Sequence, residues 1–443
     1  MRHFFPELDR WLDDLPDLRK PRLTVYHKRL LFWWGLLLFV FKQRSRRQLD
    51  FNLRDLGTHV LANVNRLART SQDSLPVSGT LDYFVGRSEP AAFLAGLRAS
   101  MLQRLIRMKA LDDARLLGHF PVAVDGSGWL SFRHEHCKQC LRQENNGSFL
   151  YQHQALEAKL LGPAGTAFSI ETEFIENDGS IAPELRGEKF KQDCELKAFH
   201  RLIPRLKQTF PQLKLCISAD ALDACAPAIK TVEEAGWKYV FTFKEGRLPA
   251  CWREFESLAA ASPYDKLTVK LPDEVTQVYR WVNGVTFNDD KGKEHSVNAL
   301  ECVETADGKS TRFAWITNFP LSGDNVAVIA EKGGRARWKI ENQGFNIQKN
   351  SDLDLEHPYS TNPRKIRTYY YLLQIAHILL QLVENGSLLR NLAEKAGKTP
   401  LRFFGSLRNM AVRLLEAWRS RSIPEGAFDL AAAGSLQIRF SES

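Results

Sequence analysis

The hydrophobic period of this chain changes near Leu117, and that change restricts the folds open to it. Up to that point apolar residues recur at helical spacing and strand signals are few. Beyond it, "FPVAVDGSGWLSF" (120–132) reads as a buried strand running into glycines. "SFLYQHQALEAKLLGP" and "TAFSIETEFIEN" read as the next two strands, the latter alternating Phe168, Ile170, Thr172 and Phe174. A helix is expected over 188–210, with Phe190, Cys194, Phe199, Ile203 and Leu206 close to one face. A strand over 212–222, carrying Asp220, a helix from Ala226 to Gly236 and the strand "KYVFTFK" follow. Short strand signals dominate 250–320, and helical spacing returns at 337–350 and 364–384. This order fits an α/β fold: a mixed sheet interrupted by a β-rich insertion and flanked by N-terminal and C-terminal helical regions.

At 443 residues the chain exceeds what one small core can organise, so two or three domains are expected. Its longest apolar run, Leu30–Phe41, is too short to span a bilayer as a helix and is bracketed by Lys28, Arg29 and Lys42. It reads as a buried or partner-facing helix, and no signal peptide or membrane association is expected. Seven scattered cysteines do not suggest a disulfide framework, which points to a reducing, cytoplasmic setting. The net charge of +9 is uneven. Residues 1–115 hold 20 Lys and Arg against 12 Asp and Glu, residues 359–443 hold 12 against 6, and the middle carries −5. Basic flanks around an acidic centre suit a protein that grips a polyanion and holds cations between the grips. Within the N-terminal flank, Arg44, Arg46 and Arg47 form a basic patch able to meet a DNA backbone.

Three carboxylates occupy positions that suit chemistry. Asp125 ends an apolar run and enters Gly126-Ser127-Gly128, and Asp220 ends the strand "LKLCISAD". Open α/β sheets place ligand-binding side chains at such strand ends. Glu341 lies in "RWKIENQGFNIQKN" among Arg337, Lys339 and Lys349, with Trp338 and Phe345 on nearby turns. Each acid also has a structural reading: Asp125 as a turn former, Asp220 or its neighbour Asp223 as a helix cap, and Glu341 as the partner of Arg337 in an ion pair worth about 0.3–0.5 kcal/mol.

Taken together, "VAVDGSGW", "LCISADAL" and "RWKIENQGFNIQK" resemble the acid-bearing motifs of DDE transposases of bacterial insertion sequences, within the insertion-sequence-four group. The last motif of that group is Tyr-x2-Arg-x3-Glu-x6-Lys. Arg337 and Glu341 stand in register with it, whereas Gly334 replaces the tyrosine and Gln348 the lysine, with Lys349 one position later. The acids are separated by 95 and 121 residues, enough for an inserted domain before the third. The resemblance covers about residues 118–358 and implies a ribonuclease-H-like core. Its parts would be 118–249, a β-rich insertion at 250–325 and a helix at 326–358 with the third acid, between a basic DNA-binding domain (1–117) and a C-terminal helical region (359–443) that helps dimerise or grip DNA. It implies a nucleoid-associated homodimer acting on terminal inverted repeats and target DNA. Asp125, Asp220 and Glu341 would hold Mg²⁺ or Mn²⁺, and Arg337 and Lys349 would face phosphates. A related DNA endonuclease and an inactive DNA-binding derivative are the alternatives.

Two further features stand apart. "FRHEHCKQC" places His134, His136, Cys137 and Cys140 within seven residues, half a zinc site by spacing, which His153 could help complete if the strands form a hairpin. The alternative is a reduced, half-buried cysteine pair. Trp281 and Trp315, in the β-rich block, are expected to serve core packing rather than to stack on a base.

Overall fold

A computed structural model describes residues 4–55, 59–180, 191–221, 224–262, 264–386, 391, 393–399, 402–403 and 405–424. Its helical half begins with α1 (Leu8–Asp13), α2 (Lys28–Val40), α3 (Arg46–Leu49), α4 (Val60–Ala68), α5 (Ser78–Ser88) and α6 (Ala91–Arg107). The apolar run becomes α2, buried on all sides from Leu30 to Phe39. Burial contributes about 1.5–3 kcal/mol for each large side chain, so a helix apolar all round belongs inside a helical layer. No helix among the described residues is long and apolar enough to cross a membrane.

The sheet has ten strands: β1 (Phe120–Phe132), β2 (Leu141–Asn145), β3 (Ser148–Leu161), β4 (Ala167–Ile175), β5 (Leu215–Ala219), β6 (Lys238–Thr242), β7 (Lys266–Lys270), β8 (Thr276–Asn288), β9 (Glu294–Ala306) and β10 (Lys309–Thr317). Its order is β2-β3-β1-β5-β6-β10-β9-β8-β7, and β4 also pairs with β3. The β1/β3, β3/β4 and β2/β3 pairs are antiparallel, whereas β5 runs parallel to both β1 and β6. The short β2 escapes the periodicity reading, yet its turn was written in the sequence. Asn146 and Gly147 both take positive φ, the arrangement for which Asn-Gly is favoured in two-residue hairpins.

Two helices connect the parallel strands, α7 (Glu195–Thr209) and α8 (Ala226–Glu234). The expected start of the first at 188 lies outside the described residues, as does Asp223; its described helix begins at Glu195. The block expected to be β-rich from 250 opens instead with a helix, α9 (Pro249–Ala261), before four antiparallel strands. Those strands continue the sheet, because β10 pairs with β6, Trp315 facing Thr242 and Thr317 facing Val240.

After β10 the chain forms one long helical stretch. It runs from α10 (Val326–Val328) through a π turn (Ile329–Gly334), a 3-10 turn (Arg335–Trp338) and a second π turn (Ile340–Phe345) to α11 (Asn346–Asn350). Then come α12 (Pro363–Asn385) and α13 (Leu407–Ser420). Asn362 caps α12 by accepting from the Arg364 amide at 3.0 Å, and Pro363 occupies the first turn, where its missing N–H costs nothing.

Helix α12 is buried from Thr368 to Leu382 and packs against α2 and α6, so it is the spine of the helical layer, while Arg364 in its first turn stays exposed. The two flanking regions share this layer, and a single apolar core runs from Phe4 to Leu415. Helix α6 is tied to the sheet by the buried Arg98, whose Nη1 donates to Ser169 Oγ (2.8 Å) and Thr172 Oγ1 (2.6 Å).

Candidate active site

The parallel register of β1 and β5 brings the first two acids together. Val122 pairs with Ile217 and Ala123 with Ser218; carried forward two residues, the same register sets Asp125 opposite Asp220. Asp125 also sits where β1 still pairs with β3, opposite Glu157, so its backbone is held after β5 has ended.

The third acid arrives on the helical stretch, which crosses β1, β3 and β4 through its second π turn. Close approach is made possible by glycines. A Cβ on Gly334 would lie 2.3 Å from the Trp315 ring, and one on Gly333 2.8 Å from Val240. The absence of a tyrosine at position 334 therefore has a packing cause. The π turn keeps Ile340 and Phe345 buried and leaves Glu341 in solvent, and such wide turns recur at functional positions. Arg337, one turn earlier, places Nη1 3.0 Å from Asp125 Oδ2. Trp338 beside it is 49% exposed, an aromatic face open next to the acids.

Glu195, the first residue of α7, is a fourth carboxylate that motif reading missed. A Cβ on Gly126 would lie 2.1 Å from Glu195 Oε1, so the glycine after Asp125 makes room for this side chain. Burial pushes the Glu195 carboxyl above its ordinary range, and Asp125 and Asp220 push it further. Burial likewise raises Asp125; Arg337 opposes this, while Asp220 and Glu341 add to it. Asp125 thus feels Asp220 and Glu341, and Glu195 feels Asp125 and Asp220. Their oxygens do not converge on one point: among the described residues, a different group brings three or more candidate ligand atoms within 4.8 Å of one another.

That group is His136, Cys137, Cys140 and His153. The hairpin expected from sequence does bring His153 over. His134 is not a member, and this corrects the set in which it stood as a ligand. The reason is local: the ring of His136 packs at a tilt on Phe132, with centroids 3.9 Å apart, and meets His153 edge-on, whereas the His134 ring lies 6.5 Å from Phe132.

The basic residues are more engaged than their pattern suggested. Lys349 pairs with Glu356 at 3.0 Å. Arg44 pairs with Asp354 at 3.0 Å, and Arg46 with Asp82 at 2.9 Å while lying over the Tyr369 ring; Arg47 is exposed. Gln348, where the motif would have lysine, is fully buried and donates to Gln374 Oε1 (2.7 Å). It also lies 2.9 Å from His377 Nδ1. Lys159, from β3, already brings an ammonium into this pocket, 3.5 Å from Gln374 Oε1, so a second buried cation would be costly. Trp281 and Trp315 are buried in a satellite core with Leu300, Phe319 and Ile329, in keeping with a packing role.

No protein-family model matches this chain, and a search of the curated proteins finds no match.

Proposed function

We propose that this protein is a DNA transposase that cuts at the ends of a mobile element and joins them to target DNA. The observation that carries the reading is that the parallel register of β1 and β5 sets Asp125 opposite Asp220 while Arg337, on the helical stretch that bears Glu341, bonds Asp125. The topology supports a ribonuclease-H-like core: three antiparallel strands lead through helices into two strands parallel to the first, with Asp125 inside β1, Asp220 just past the end of the adjacent β5, and Glu341 on the helical stretch that crosses β1.

The residues fit divalent cations. The donors are all carboxylate oxygens, the ligand type that hard ions such as Mg²⁺ or Mn²⁺ prefer. Burial first, and then repulsion from neighbouring acids, holds Asp125 and Glu195 above their ordinary range, a cost that bound cations would relieve. Asp125, Asp220 and Glu341 would hold them, with Glu195 beside the first two, and carboxylates spread over several elements suit two ions better than one. A pair of such ions, when bound, activates the attacking oxygen and stabilises the leaving one.

The rest falls to the protein's own groups. Asp125 and Asp220 are fixed by the strand register, so the reaction does not have to order them. Arg337, 27% exposed and anchored on Asp125, presents its remaining donors where a phosphate would lie, a geometry suited to guanidinium. Trp338 offers a surface for a base near the cut. Arg47 and the half-engaged Arg44 extend a backbone-binding path, and pairing of two ends calls for a homodimer.

The test is a plasmid carrying the coding sequence with its native flanks, incubated with the full-length protein and Mg²⁺. Cleavage at the element ends and sequenced joints to new DNA are expected, both lost in Asp125→Asn. Cutting with no joined product would favour a nuclease on the same core. Binding without cutting would favour a DNA-binding derivative. Either result overturns the transposase reading.

A further inference from the structure

We propose that the loop between β1 and β2, together with β3, forms a zinc site ligated by His136, Cys137, Cys140 and His153. The bound ion would lock the β1–β3 hairpin to the segment that leads into α7. The four ligands lie outside the acid cluster and need no DNA.

Geometry comes first. Zn–S bonds of about 2.3 Å and Zn–N bonds of about 2.0–2.1 Å in a tetrahedron set neighbouring donors roughly 3.3–3.8 Å apart. Here Cys137 Sγ lies 3.2 Å from Cys140 Sγ and 3.5 Å from His153 Nε2. Cys140 Sγ lies 3.8 Å from His153 Nε2 and 3.1 Å from a ring nitrogen of His136, whose other nitrogen is 3.2 Å from His153 Nε2. Each of the four residues therefore offers one donor atom, all within 4.8 Å of one another, close enough to share one ion. Two thiolates and two imidazoles select zinc over the hard cations suited to the acid cluster. All four positions come from protein, which marks a structural rather than a catalytic ion. On binding, the two thiol protons pass to solvent, and the two thiolates balance the charge of the ion.

The surroundings are those of a built site. His153 and Cys140 are buried, and the Nδ1 of His153 faces Glu176 Oε1 at 3.5 Å, which directs Nε2 toward the sulfurs. Glu176 is itself held by Arg367 of α12. The carbonyl of Cys140 accepts from Asn177 Nδ2 at 2.7 Å, and the Gln139 carbonyl accepts from the Asn177 amide at 3.0 Å. Gln192 then brackets Arg142, accepting from its amide at 2.6 Å and donating to its carbonyl at 2.8 Å. Three residues later α7 begins with Glu195. The loop thus spans the gap between the strand of Asp125 and the helix of Glu195.

The experiment uses full-length protein from zinc-supplemented cultures, kept reduced and free of DNA. One zinc per chain is expected by elemental analysis, and exchange for Co²⁺ should give the thiolate charge-transfer bands of a tetrahedral site. His134→Ala should keep the metal, whereas Cys140→Ser and His153→Ala should lose it. Stripping zinc from the wild type with a chelator should lower its melting temperature and open residues 132–153 to protease. If the ligand variants fail to fold, the cobalt spectrum of the wild type decides. Substoichiometric zinc without a cobalt–thiolate band, a Cys137–Cys140 disulfide in the reduced preparation, loss of metal in His134→Ala, or an unchanged melt on chelation would each overturn the proposal.

Discussion

Arg337 and Asp125 are 212 positions apart in the chain, yet the guanidinium Nη1 lies 3.0 Å from the carboxylate Oδ2, joining the helical stretch to β1. The pair is partly open to solvent, so its contribution to stability is small, about 0.2–1 kcal/mol. Its larger role would be to orient a phosphate-binding fork. Arg337→Ala is therefore expected to shift the urea midpoint little and to lower strand cleavage by about 10-fold or more, with Arg337→Lys recovering only part of the loss. Equal losses of stability and activity would leave the residue a purely structural role.

Divalent cations should stabilise the folded chain by mass action. At 100 times its dissociation constant, Mg²⁺ would add about 2.7 kcal/mol, read as a rise in melting temperature. Asp220→Asn and Glu341→Gln are each expected to abolish most of that rise and to slow cleavage on the order of 10²–10³-fold, the scale of losing one preorganised electrostatic group. Melts of the three proteins with and without Mg²⁺, beside cleavage rates, check this.

Glu195 provides a pH signature. Its folded carboxyl titrates above the ordinary value, through burial first and then Asp125 and Asp220. The fold therefore favours the protonated acid. That contribution is complete below the unfolded carboxylate range and is lost as pH rises through the raised folded value. At neutral pH and without cations, the ionised side chain is a net cost. Glu195→Gln should then be more stable than the parent at pH 7.5, and the difference should vanish in acid; denaturant melts across pH would read it. A variant less stable at pH 7.5 would show that Glu195 is paired rather than repelled.

The platform beneath Glu341 depends on a buried charge pair. Lys159 Nζ lies 3.3 Å from Glu157 Oε2, and both side chains are fully buried. Glu157 also accepts from Tyr370 at 2.9 Å and Thr172 at 2.5 Å, and Lys159 lies over the Phe345 ring at 5.1 Å. Lys159→Met leaves a buried carboxylate unpaired and should cost about 3–5 kcal/mol. Adding Glu157→Gln should recover part of that loss, a coupling that a double-mutant cycle measures directly.

Much of this organisation was legible in residue order. The change of period at Leu117, the apolar run that became α2, the glycines after Asp125 and the Asn-Gly turn at 146–147 are local signals, because backbone preference and side-chain period act over a few residues. What the order could not supply was convergence. Glu195 sits at an ordinary helix start and becomes a site residue only when Gly126 faces it. His153 replaces His134 in the cysteine cluster because hairpin pairing, not spacing, sets which ring reaches the sulfurs. Arg46 and Lys349 look like free cations in sequence and find carboxylates in space, and α12, basic and exposed in its first turn, lies inside the core from Thr368 to Leu382. Local chemistry determines which elements form and what each side chain is able to do. Which charges face one another depends on packing between distant segments, since Coulomb energy and desolvation follow distance through space and not along the chain.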